Sequence, residues 1–278
     1  MNTYTIPPKL AIINDLSGYG RCSLTVALPV VSAMKVQGCP VPTSFFSNHM
    51  GYPVYYSHDF SPEIPEYLQK WEELHLSFDG IYCGYLNSQE QIMLIENFIL
   101  HQKSKNPSCM VLIDPVMGDH GSLYHSVTPD FLEEMKHLIS HGDIITPNLT
   151  EACLLTDTPY TDSPDEQFLF TLAKKLHVSG AAKIVITGIP GNKRVANYIY
   201  ESPGSHMLSS QPLTGESRPG TGDLFASILA ADAVNHYDFV QSVQKAAQFV
   251  SHCTGASHDL NIPINDGVCF ENFLTLLY

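Results

Sequence analysis

Short apolar runs alternate with longer segments of helical periodicity along nearly the whole chain. Residues 9–14 (KLAIIN) form the first apolar run, and residues 21–36 follow it with apolar side chains every three or four positions. Short continuous apolar runs are typical of strands buried on both faces, whereas the wider spacing predicts a helix with one buried side. Strands that alternate with helices in this way predict an α/β fold with a mostly parallel sheet. The inward positions predicted for the first helix are Leu24, Leu28, Val31 and Met34.

The same alternation continues to the C-terminal end. Further strands are predicted over residues 39–46, 80–85, 109–113, 143–146, 183–186, 195–200 and 206–209. Further helices are predicted over residues 62–76, 88–102, 129–141, 165–178, 223–233, 239–254 and 267–278. Pro203 and Gly204 lie between the last two strands and predict a hairpin there. No repeat, linker or low-complexity segment interrupts the pattern, so we expect residues 1–278 to form a single domain.

Polar and glycine residues follow five of the predicted strands. These segments are residues 14–20, 47–52, 84–87, 114–119 and 146–151. The carboxyl ends of parallel strands share one edge of a sheet, which is where open α/β proteins bind ligands. We therefore expect the acids at positions 114, 119, 151 and 223 to converge there and to favour a magnesium–nucleotide site. Each acid also has an ordinary explanation, such as a turn at Asp114 or a capping box at Glu151.

The segment of residues 217–226 (SRPGTGDLFA) has the pattern of a glycine-rich turn that opens a helix. The first amides of a helix have no partner within it, and with the helix dipole they attract an anion such as phosphate. A carboxylate at Asp223 would repel that anion unless it accepts a proton from the hydroxyl that attacks the phosphate. The alternative is an ordinary acid in the first turn of a helix.

Composition narrows the class of protein. The chain has 278 residues, 44% of them hydrophobic, and a net charge of −14, which argues against nucleic acid or an anionic membrane as a partner. The longest apolar stretches are too short to span a bilayer, and the N-terminal residues do not resemble a signal peptide. Seven scattered cysteines without a CxxC pair are typical of reduced thiols, so we expect a cytoplasmic protein. The dinucleotide fingerprint and the GxxxxGK[ST] phosphate loop are both absent.

Four motifs in order carry a resemblance to a known family. They are Phe46-Ser47-Asn48-His49, Asp114-Pro115-Val116-Met117-Gly118-Asp119, Ile145-Thr146-Pro147-Asn148 with Glu151, and Gly220-Thr221-Gly222-Asp223. Over nearly the whole chain the sequence resembles the pyridoxal and pyridoxamine kinases of the ribokinase-like superfamily. The resemblance implies a three-layer α/β/α sandwich with a mostly parallel central sheet. It also implies a homodimer that uses ATP and Mg²⁺ to phosphorylate the 5′-hydroxymethyl group of a B6 vitamer.

The resemblance also implies a role for each matching residue. Asp223 is similar to the catalytic base, and the amides of Gly220, Thr221 and Gly222 are similar to the anion hole. The acids that place Mg²⁺ correspond to Asp114 and Glu151, and Asp119 belongs to the same motif. The resemblance further implies nucleotide contacts at Asp114, Asn148, Glu151, Thr187, Gly188, Arg218 and Pro219. It implies vitamer contacts at Asp15, Ser47, His49, Met50, Tyr85 and Asp223.

Two departures from the family leave the preferred vitamer open. Family members often carry Ser near position 15 to bond the pyridine nitrogen, whereas this chain offers Asn14 and Asp15, and they often carry Thr where this chain has Met50. The opening Asp15-Leu16-Ser17-Gly18 also resembles the hydroxymethylpyrimidine kinases of thiamin biosynthesis. That sister branch typically has Cys where this chain has Asp223, which favours a B6 vitamer as substrate. A non-catalytic protein that binds a vitamer or nucleotide is a further alternative, against which the intact acids argue.

Overall fold

The protein is seen in a computed structural model that describes residues 5–124, 127–202, 204–213 and 215–278. The strands are β1 (Lys9–Ser17), β2 (Gln37–Phe46), β3 (Ser57–Asp59), β4 (Gly80–Cys83), β5 (Met110–Ile113), β6 (Gly118–Asp119), β7 (Ser122–Leu123), β8 (Ile144–Ile145), β9 (Lys183–Gly191), β10 (Arg194–Glu201) and β11 (Ser205–Pro212). The helices are α1 (Ser23–Ala33), α2 (Ile64–Glu73), α3 (Gln89–Lys105), α4 (Pro129–Leu138), α5 (Leu149–Leu155), α6 (Glu166–Val178), α7 (Thr221–Val234) and α8 (Phe239–Asp259).

One large sheet organises the fold. Its strand order is β11-β10-β9-β8-β5-β4-β1-β2-β3, and all neighbours from β9 to β2 are parallel. The other three pairs, at the two sides of the sheet, are antiparallel. The prediction of a mostly parallel sheet is confirmed. Because the parallel strands point the same way, the loops after β1, β4, β5 and β8 leave the sheet along one edge.

Helices cover both faces of the sheet, and the strands are apolar on both sides as a result. In β1, Ala11 and Ile13 belong to the core beneath α2 to α6, whereas Leu10 and Ile12 belong to the core beneath α1, α7 and α8. Side chains of successive strand residues alternate between faces, so one apolar run serves both cores. This three-layer arrangement matches the predicted α/β/α sandwich.

Local sequence signals set most helix starts. The side chains of Ser88, Thr128, Asp165 and Asp238 accept hydrogen bonds from backbone amides in the first turns of α3, α4, α6 and α8. Each of these caps satisfies a backbone donor that has no partner inside the helix. Helix α7 differs from them, because it begins after Gly220 in the left-handed region, with φ 85°, and has no side-chain cap. Its first amides are therefore left available for a ligand.

Several predicted elements were wrong in extent or kind. The segment after residue 267 forms no α-helix, and a 3₁₀ helix at Glu271–Leu277 takes its place. The predicted strand 183–186 continues to Gly191, because the antiparallel β10 extends its pairing. Strands β3, β6 and β7 were missed, since each has only two or three residues and is largely exposed. The predicted hairpin is formed by β10 and β11, although Pro203 itself lies outside the described residues.

Among the residues that the structure describes, no helix is both long enough and apolar enough to cross a membrane.

Candidate active site

The site is centred on the N-terminus of α7, at the carboxyl edge of the sheet. Gly220 precedes the helix with φ 85°, and a Cβ atom at this position would lie 2.1 Å from the carbonyl oxygen of Arg21. Only glycine fits here, because any side chain would collide with backbone in a conformation that L-residues rarely adopt. Asp223 lies in the first turn of α7, as predicted, while Gly222 is exposed. The amides of this first turn therefore face open space beside a carboxylate, which suits a phosphate group.

A fixed side chain from the first strand orients Asp223. The Nδ2 atom of Asn14 donates a hydrogen bond to Oδ1 of Asp223 at 3.0 Å. The Oδ1 atom of Asn14 accepts from the backbone amides of Asp15 and Tyr85, each at 3.0 Å. The amide group cannot turn over without losing both bonds, so its donor must face Asp223. Gly84 leaves room for this arrangement, because a Cβ atom there would lie 2.5 Å from Nδ2 of Asn14.

The pKa of Asp223 reflects two opposing effects. Burial raises this pKa, whereas hydrogen bonds from the backbone N–H of Ser23 and the side chain of Asn14 lower it. Desolvation disfavours the charged carboxylate, and donors directed at its oxygens favour it. A carboxylate held in this way is both oriented and basic, which is what a general base requires.

Asp15 lies next to Asp223 but is buried, with 6% of its surface exposed. Its Oδ1 atom accepts from the hydroxyl of Ser23 at 2.5 Å, and its Oδ2 atom accepts from the hydroxyl of Ser17 at 3.0 Å. The pKa of Asp15 is raised from 3.8 to about 6, mainly by burial; the hydrogen bond from Ser23 opposes this rise, and the charge of Asp223 adds to it. Both carboxylate oxygens of Asp15 are therefore engaged by serines, and its contact with a vitamer stays a prediction.

Asp114 faces the same opening from the end of β5. Its Oδ2 atom would lie 3.7 Å from a Cβ atom placed on Gly222, and its Oδ1 atom accepts from the hydroxyl of Thr146 at 2.9 Å. Burial raises the pKa of Asp114, and the nearby charge of Asp223 raises it further. The structure thus brings Asp114 and Asp223 together across the anion site, as the sequence predicted. Two carboxylates this close favour the approach of a cation.

Glu151 forms the predicted capping box at the start of α5. Asn148 accepts from the amide of Glu151 at 3.0 Å, and Oε2 of Glu151 accepts from the amide of Asn148 at 2.8 Å. The other oxygen, Oε1, accepts from the amide of Met117 at 3.0 Å. Burial raises the pKa of Glu151 well above its ordinary value, and the charge of Asp114 adds to this effect. Glu151 therefore fixes the loop after β5 through Met117. It also lies close enough to Asp114 for the charge of Asp114 to raise its pKa.

The third acid proposed for the metal, Asp119, is more exposed than the other two. Asp119 is exposed on the β6–β7 hairpin, where it accepts from the amide of His120 at 2.8 Å and pairs with the ring of the same residue. Within the described ranges, no three or more His, Cys, Asp or Glu side chains are grouped so that they could hold a metal ion. A metal here would thus depend on ligands from water or from a bound phosphate in addition to protein carboxylates.

Arg218 and the Thr187–Gly188 pair lie in surroundings that differ from those expected from the sequence. Arg218 is 6% exposed, and its Nη1 atom donates to the carbonyl oxygens of Ile262 and Pro263 at 2.9 and 3.1 Å. This guanidinium holds the C-terminal loop rather than facing the opening, although Pro219 beside it is partly exposed. Thr187 and Gly188 form an irregularity inside β9 and not a turn after it. Gly188 has φ 68° and an open space where a Cβ atom would be, so a ligand can approach its backbone.

The residues suggested for a vitamer lie on two loops at the same edge. His49 has both ring nitrogens engaged, because Nδ1 accepts from the amide of Gly51 and Nε2 contacts the carbonyl oxygen of Asn265 at 2.6 Å. Nε2 therefore carries the proton of a neutral ring. Ser47 and Met50 are exposed, whereas Tyr85 is 8% exposed and its hydroxyl donates to Asn87.

Three residues near Asp223 and Asp114 carried no clear signal in the sequence. Thr146 directly follows β8, as Asp114 directly follows β5. The same reasoning from strand ends that selected Asp114 could therefore have selected Thr146 as a site residue. Asn14 was noted only as a possible ligand of the pyridine ring, and its bond to Asp223 joins residues far apart in the chain. Ser23 has φ 54°, a left-handed conformation that nothing in its sequence context predicts.

Comparison with known proteins places this geometry in context. A family model described as phosphomethylpyrimidine kinase matches residues 28–266, which is most of the chain. A protein of Schizosaccharomyces pombe, provisionally named a pyridoxal kinase, is 31% identical over 199 residues. That match covers 69% of this chain and spans only 57% of the yeast protein.

Solved structures match a larger share of this chain than the yeast protein does. A Bacteroides thetaiotaomicron protein, provisionally described as a phosphomethylpyrimidine kinase and crystallised with pyridoxal, is 33% identical with a TM-score of 0.93. The alignment covers 98% of this chain and 96% of that protein. The pyridoxal kinase of Lactobacillus plantarum is 28% identical with a TM-score of 0.90, over 97% of this chain and 96% of the other.

Proposed function

The chain belongs to the phosphomethylpyrimidine kinase family of the ribokinase-like superfamily, and from this we propose that it is an ATP-dependent kinase of B6 vitamers. The reaction transfers the γ-phosphoryl group of ATP to the 5′-hydroxymethyl group of pyridoxal, pyridoxamine or pyridoxine. Two relatives support this choice of substrate, one named as a pyridoxal kinase and one crystallised with pyridoxal.

One observation carries the proposal. Asp223 occupies the first turn of a helix that begins without a side-chain cap, and Asn14 fixes the orientation of its carboxylate. An anion site and an oriented base within one turn of helix suit a reaction in which an alcohol attacks a phosphoryl group. A protein that only bound the nucleotide would gain nothing from a carboxylate at this position, since it repels phosphate.

The residues of the chain divide the chemistry as follows. Asp223 accepts the proton of the substrate hydroxyl and so increases its nucleophilicity. The amides that follow Gly220 stabilise the negative charge that develops on the transferred phosphoryl group. We assign the backbone around Thr187 and Gly188 to the nucleotide, because Gly188 leaves an open approach. Ser47, Met50 and Tyr85 are assigned to the vitamer from their place on neighbouring loops.

Asp114 and Glu151 fit a requirement for Mg²⁺. Burial raises the pKa of both carboxylates, and so does a neighbouring charge, that of Asp223 for Asp114 and that of Asp114 for Glu151, so a cation would relieve the repulsion. Mg²⁺ commonly uses one or two carboxylates, with water and phosphate oxygens completing its shell. The open side of Asp114 would hold the ion and Glu151 would act through water. When bound, Mg²⁺ supplies positive charge that offsets the charge of the phosphates.

The direct test is a panel of acceptors with Mg-ATP, in which ADP release is measured for pyridoxal, pyridoxamine, pyridoxine and hydroxymethylpyrimidine. We expect turnover with at least one B6 vitamer at a kcat/KM that exceeds the value for the pyrimidine. Preference for the pyrimidine would instead assign the chain to thiamin biosynthesis, the alternative that corresponds to the description of the matched family. Binding of vitamer and nucleotide without ADP release would reveal a non-catalytic binding protein.

We also propose a cytoplasmic homodimer. The seven cysteines are all free, which suits a reducing compartment. Val54, Tyr55 and Tyr56 form an exposed apolar run beside the edge strand β3, and such runs commonly pack against a partner. Sedimentation velocity at micromolar concentration tests the assembly, and a single monomeric species would contradict it.

A further inference from the structure

Two loops at the carboxyl edge of the sheet are bonded to one carboxylate, that of Asp266. Tyr52 ends the vitamer loop, residues 47–52, and its hydroxyl donates to Oδ1 of Asp266 at 2.7 Å. Tyr19 lies in the loop after β1, and its hydroxyl donates to Oδ2 of Asp266 at 3.3 Å. The two tyrosine rings also meet edge to face, with their centroids 5.8 Å apart. A residue near the C-terminal end of the chain therefore binds a side chain from each loop.

A second set of bonds fixes the vitamer loop next to Asp266. The Nε2 atom of His49 contacts the carbonyl oxygen of Asn265 at 2.6 Å, and Nδ2 of Asn265 donates to the carbonyl oxygen of Gly51 at 3.2 Å. Within the loop, the amide of Gly51 donates to Nδ1 of His49 at 3.1 Å. The ring of His49 packs against Tyr52, with centroids 4.7 Å apart. The vitamer loop is thus bound through both its side chains and its backbone.

The C-terminal loop, residues 262–267, is itself held beside the anion site. The Nη1 atom of Arg218 donates to two backbone carbonyl oxygens of this loop, at 2.9 and 3.1 Å. The backbone amide of Arg21 donates to the carbonyl oxygen of Asp266 at 3.2 Å. The carbonyl oxygen of Arg21 in turn lies against Gly220, where it leaves no room for a Cβ atom. The C-terminal loop therefore connects the vitamer loop to the turn that opens α7.

We propose that Asp266 is a positioning residue for the phosphoryl acceptor, which acts through Tyr52 and Tyr19 and holds the vitamer loop in register with the anion site. The inference rests on the proposed function, since it assigns residues 47–52 to the vitamer. Transfer requires the acceptor hydroxyl to lie between Asp223 and the phosphoryl group, and a displacement of about 1 Å can lower the rate steeply. Asp266 acts through the two tyrosines and not by contact with the reacting groups.

The surroundings of this hydrogen-bonded cluster make its contribution to global stability small. Tyr19 is 57% exposed, and Tyr52 and Asp266 are partly exposed. Neither tyrosine belongs to the two hydrophobic cores that the described residues form. Hydrogen bonds that water can replace contribute little to the free energy of unfolding. The loss of these bonds should therefore affect the position of the vitamer loop more than the stability of the fold.

Steady-state kinetics test this role with the B6 vitamer, or with whichever acceptor the wild-type enzyme phosphorylates. Tyr52→Phe removes one hydroxyl and keeps the ring, and we expect it to raise the KM for the acceptor about five-fold. Asp266→Ala releases both tyrosines and should raise this KM about ten-fold, whereas Asp266→Asn keeps a hydrogen-bond acceptor and should stay within about three-fold. The KM for Mg-ATP should stay within about two-fold of wild type in all three variants.

Tyr237→Phe is the matched control. Tyr237 is 64% exposed and follows the C-terminal end of α7, at the opposite end of this helix from the anion site. Its substitution should leave both KM values unchanged. A wild-type acceptor KM in Asp266→Ala, or an equal rise in the KM for Mg-ATP, would overturn the proposal.

A double variant shows whether Tyr52 and Asp266 act together. If the hydroxyl of Tyr52 acts only through Asp266, Tyr52→Phe combined with Asp266→Ala should have the acceptor KM of Asp266→Ala alone. Independent effects would instead multiply to about fifty-fold and would contradict the proposed connection. Failure of the proposed function is distinguishable from this result, because it would appear in the wild-type enzyme as no ADP release with any B6 vitamer.

Hydrogen exchange provides a readout that does not depend on turnover. The amides of Gly51 and Tyr52 donate to His49, so a peptide covering residues 46–56 should be protected in the wild-type chain. In Asp266→Ala we expect this peptide to exchange about five-fold faster or more, while peptides from α7 and α8 keep their rates. Unchanged exchange over residues 46–56 would show that Asp266 does not hold the vitamer loop. Equal acceleration in α7 would indicate a loss of global stability and would also overturn the proposal.

Discussion

The side chains of Asn14 and Asp223 are bonded at 3.0 Å although 209 residues separate them in the sequence. One belongs to the first strand of the sheet and the other to the helix that starts at the anion site. Since the acceptor atom of Asn14 is held by two backbone amides, the bond to Asp223 has a defined direction. This contact joins the first strand and helix α7 at the proposed site of phosphoryl transfer.

Removal of the base should abolish turnover without removing the nucleotide site. We expect Asp223→Ala to lower kcat by about 10²-fold or more, because a positioned general base contributes on this scale. Binding of ATP, followed by calorimetry, should be retained, since the amides of α7 remain. Asp130→Asn is the matched control, because Asp130 is also an acid in a first helical turn but is exposed at α4. Near wild-type turnover in Asp223→Ala would remove Asp223 from the mechanism.

Alanine substitutions at the two glycines beside Thr221 should have different effects on stability and activity. Gly220→Ala places a Cβ atom 2.1 Å from a backbone oxygen at positive φ, so we expect the free energy of unfolding to fall by about 2 kcal/mol or more. Gly222→Ala meets only Asp114, at 3.7 Å, and should fold normally. Its methyl group nevertheless enters the anion site and should lower kcat/KM for ATP. Urea unfolding and steady-state kinetics of both variants test this pair, and equal stability would refute the packing argument.

Substitutions of the three acids predicted to place Mg²⁺ should differ in how far they shift the Mg²⁺ dependence of turnover. We expect Asp114→Asn to raise the half-saturating Mg²⁺ concentration most, and Glu151→Gln to raise it less. The carboxylate oxygens of Glu151 already accept backbone amides, so Glu151→Gln should also destabilise the fold by about 1–3 kcal/mol. Asp119→Asn serves as the control and should shift the Mg²⁺ dependence by less than about two-fold. An effect of Asp119→Asn as large as that of Asp114→Asn would place Asp119 at the metal after all.

Stability should depend on pH through Asp15. Its pKa is raised from 3.8 to about 6, so between these values the folded state binds more protons than the unfolded state. The free energy of unfolding contributed by this group therefore falls as pH rises from about 4 to about 6, and it is constant above that range. Asp15→Asn removes the ionisation, and at pH 7.5 it should stabilise the protein by up to about 3 kcal/mol.

The matched measurement is urea unfolding of both proteins at a series of pH values between about 4.5 and 7.5. The stability difference between Asp15→Asn and the wild-type protein should increase with pH over this interval. A difference that is constant with pH, or that grows towards acid, would mean that Asp15 is not destabilised by ionisation in the folded state.

Arg218 should behave as a structural residue. Its guanidinium donates to carbonyl oxygens of the C-terminal loop, so Arg218→Lys loses part of this network and leaves buried acceptors without partners. We expect a loss of about 1–3 kcal/mol in the free energy of unfolding and a KM for ATP within about three-fold of wild type. Arg194→Lys, at an exposed position on β10, is the control and should change stability little. A large rise in the KM for ATP with unchanged stability would instead support the nucleotide contact suggested by the sequence.

Local physics explains which parts of the fold were predictable. The central strands are buried on both faces, and the helices carry polar caps, so each element has a signal within its own residues. Strands β3, β6 and β7 have no such signal because they are short and exposed. The C-terminal segment has helical spacing, but it forms a 3₁₀ helix that follows a loop whose backbone carbonyls contact the distant residues Arg218 and His49.

For the site, the sequence by itself determined which residue types stand at strand ends, and hence that Asp114, Glu151 and Asp223 would meet at one edge. That follows because parallel strands end together, whatever their side chains. Only the tertiary structure decided the direction and contacts of each side chain: Asp119 is exposed on a hairpin, Arg218 donates to the C-terminal loop, Asp15 is enclosed by two serines, and Asn14 faces Asp223. For Asn14 and Arg218 these directions are set by hydrogen bonds between residues far apart in the chain, which do not exist until the sheet and its helices have assembled.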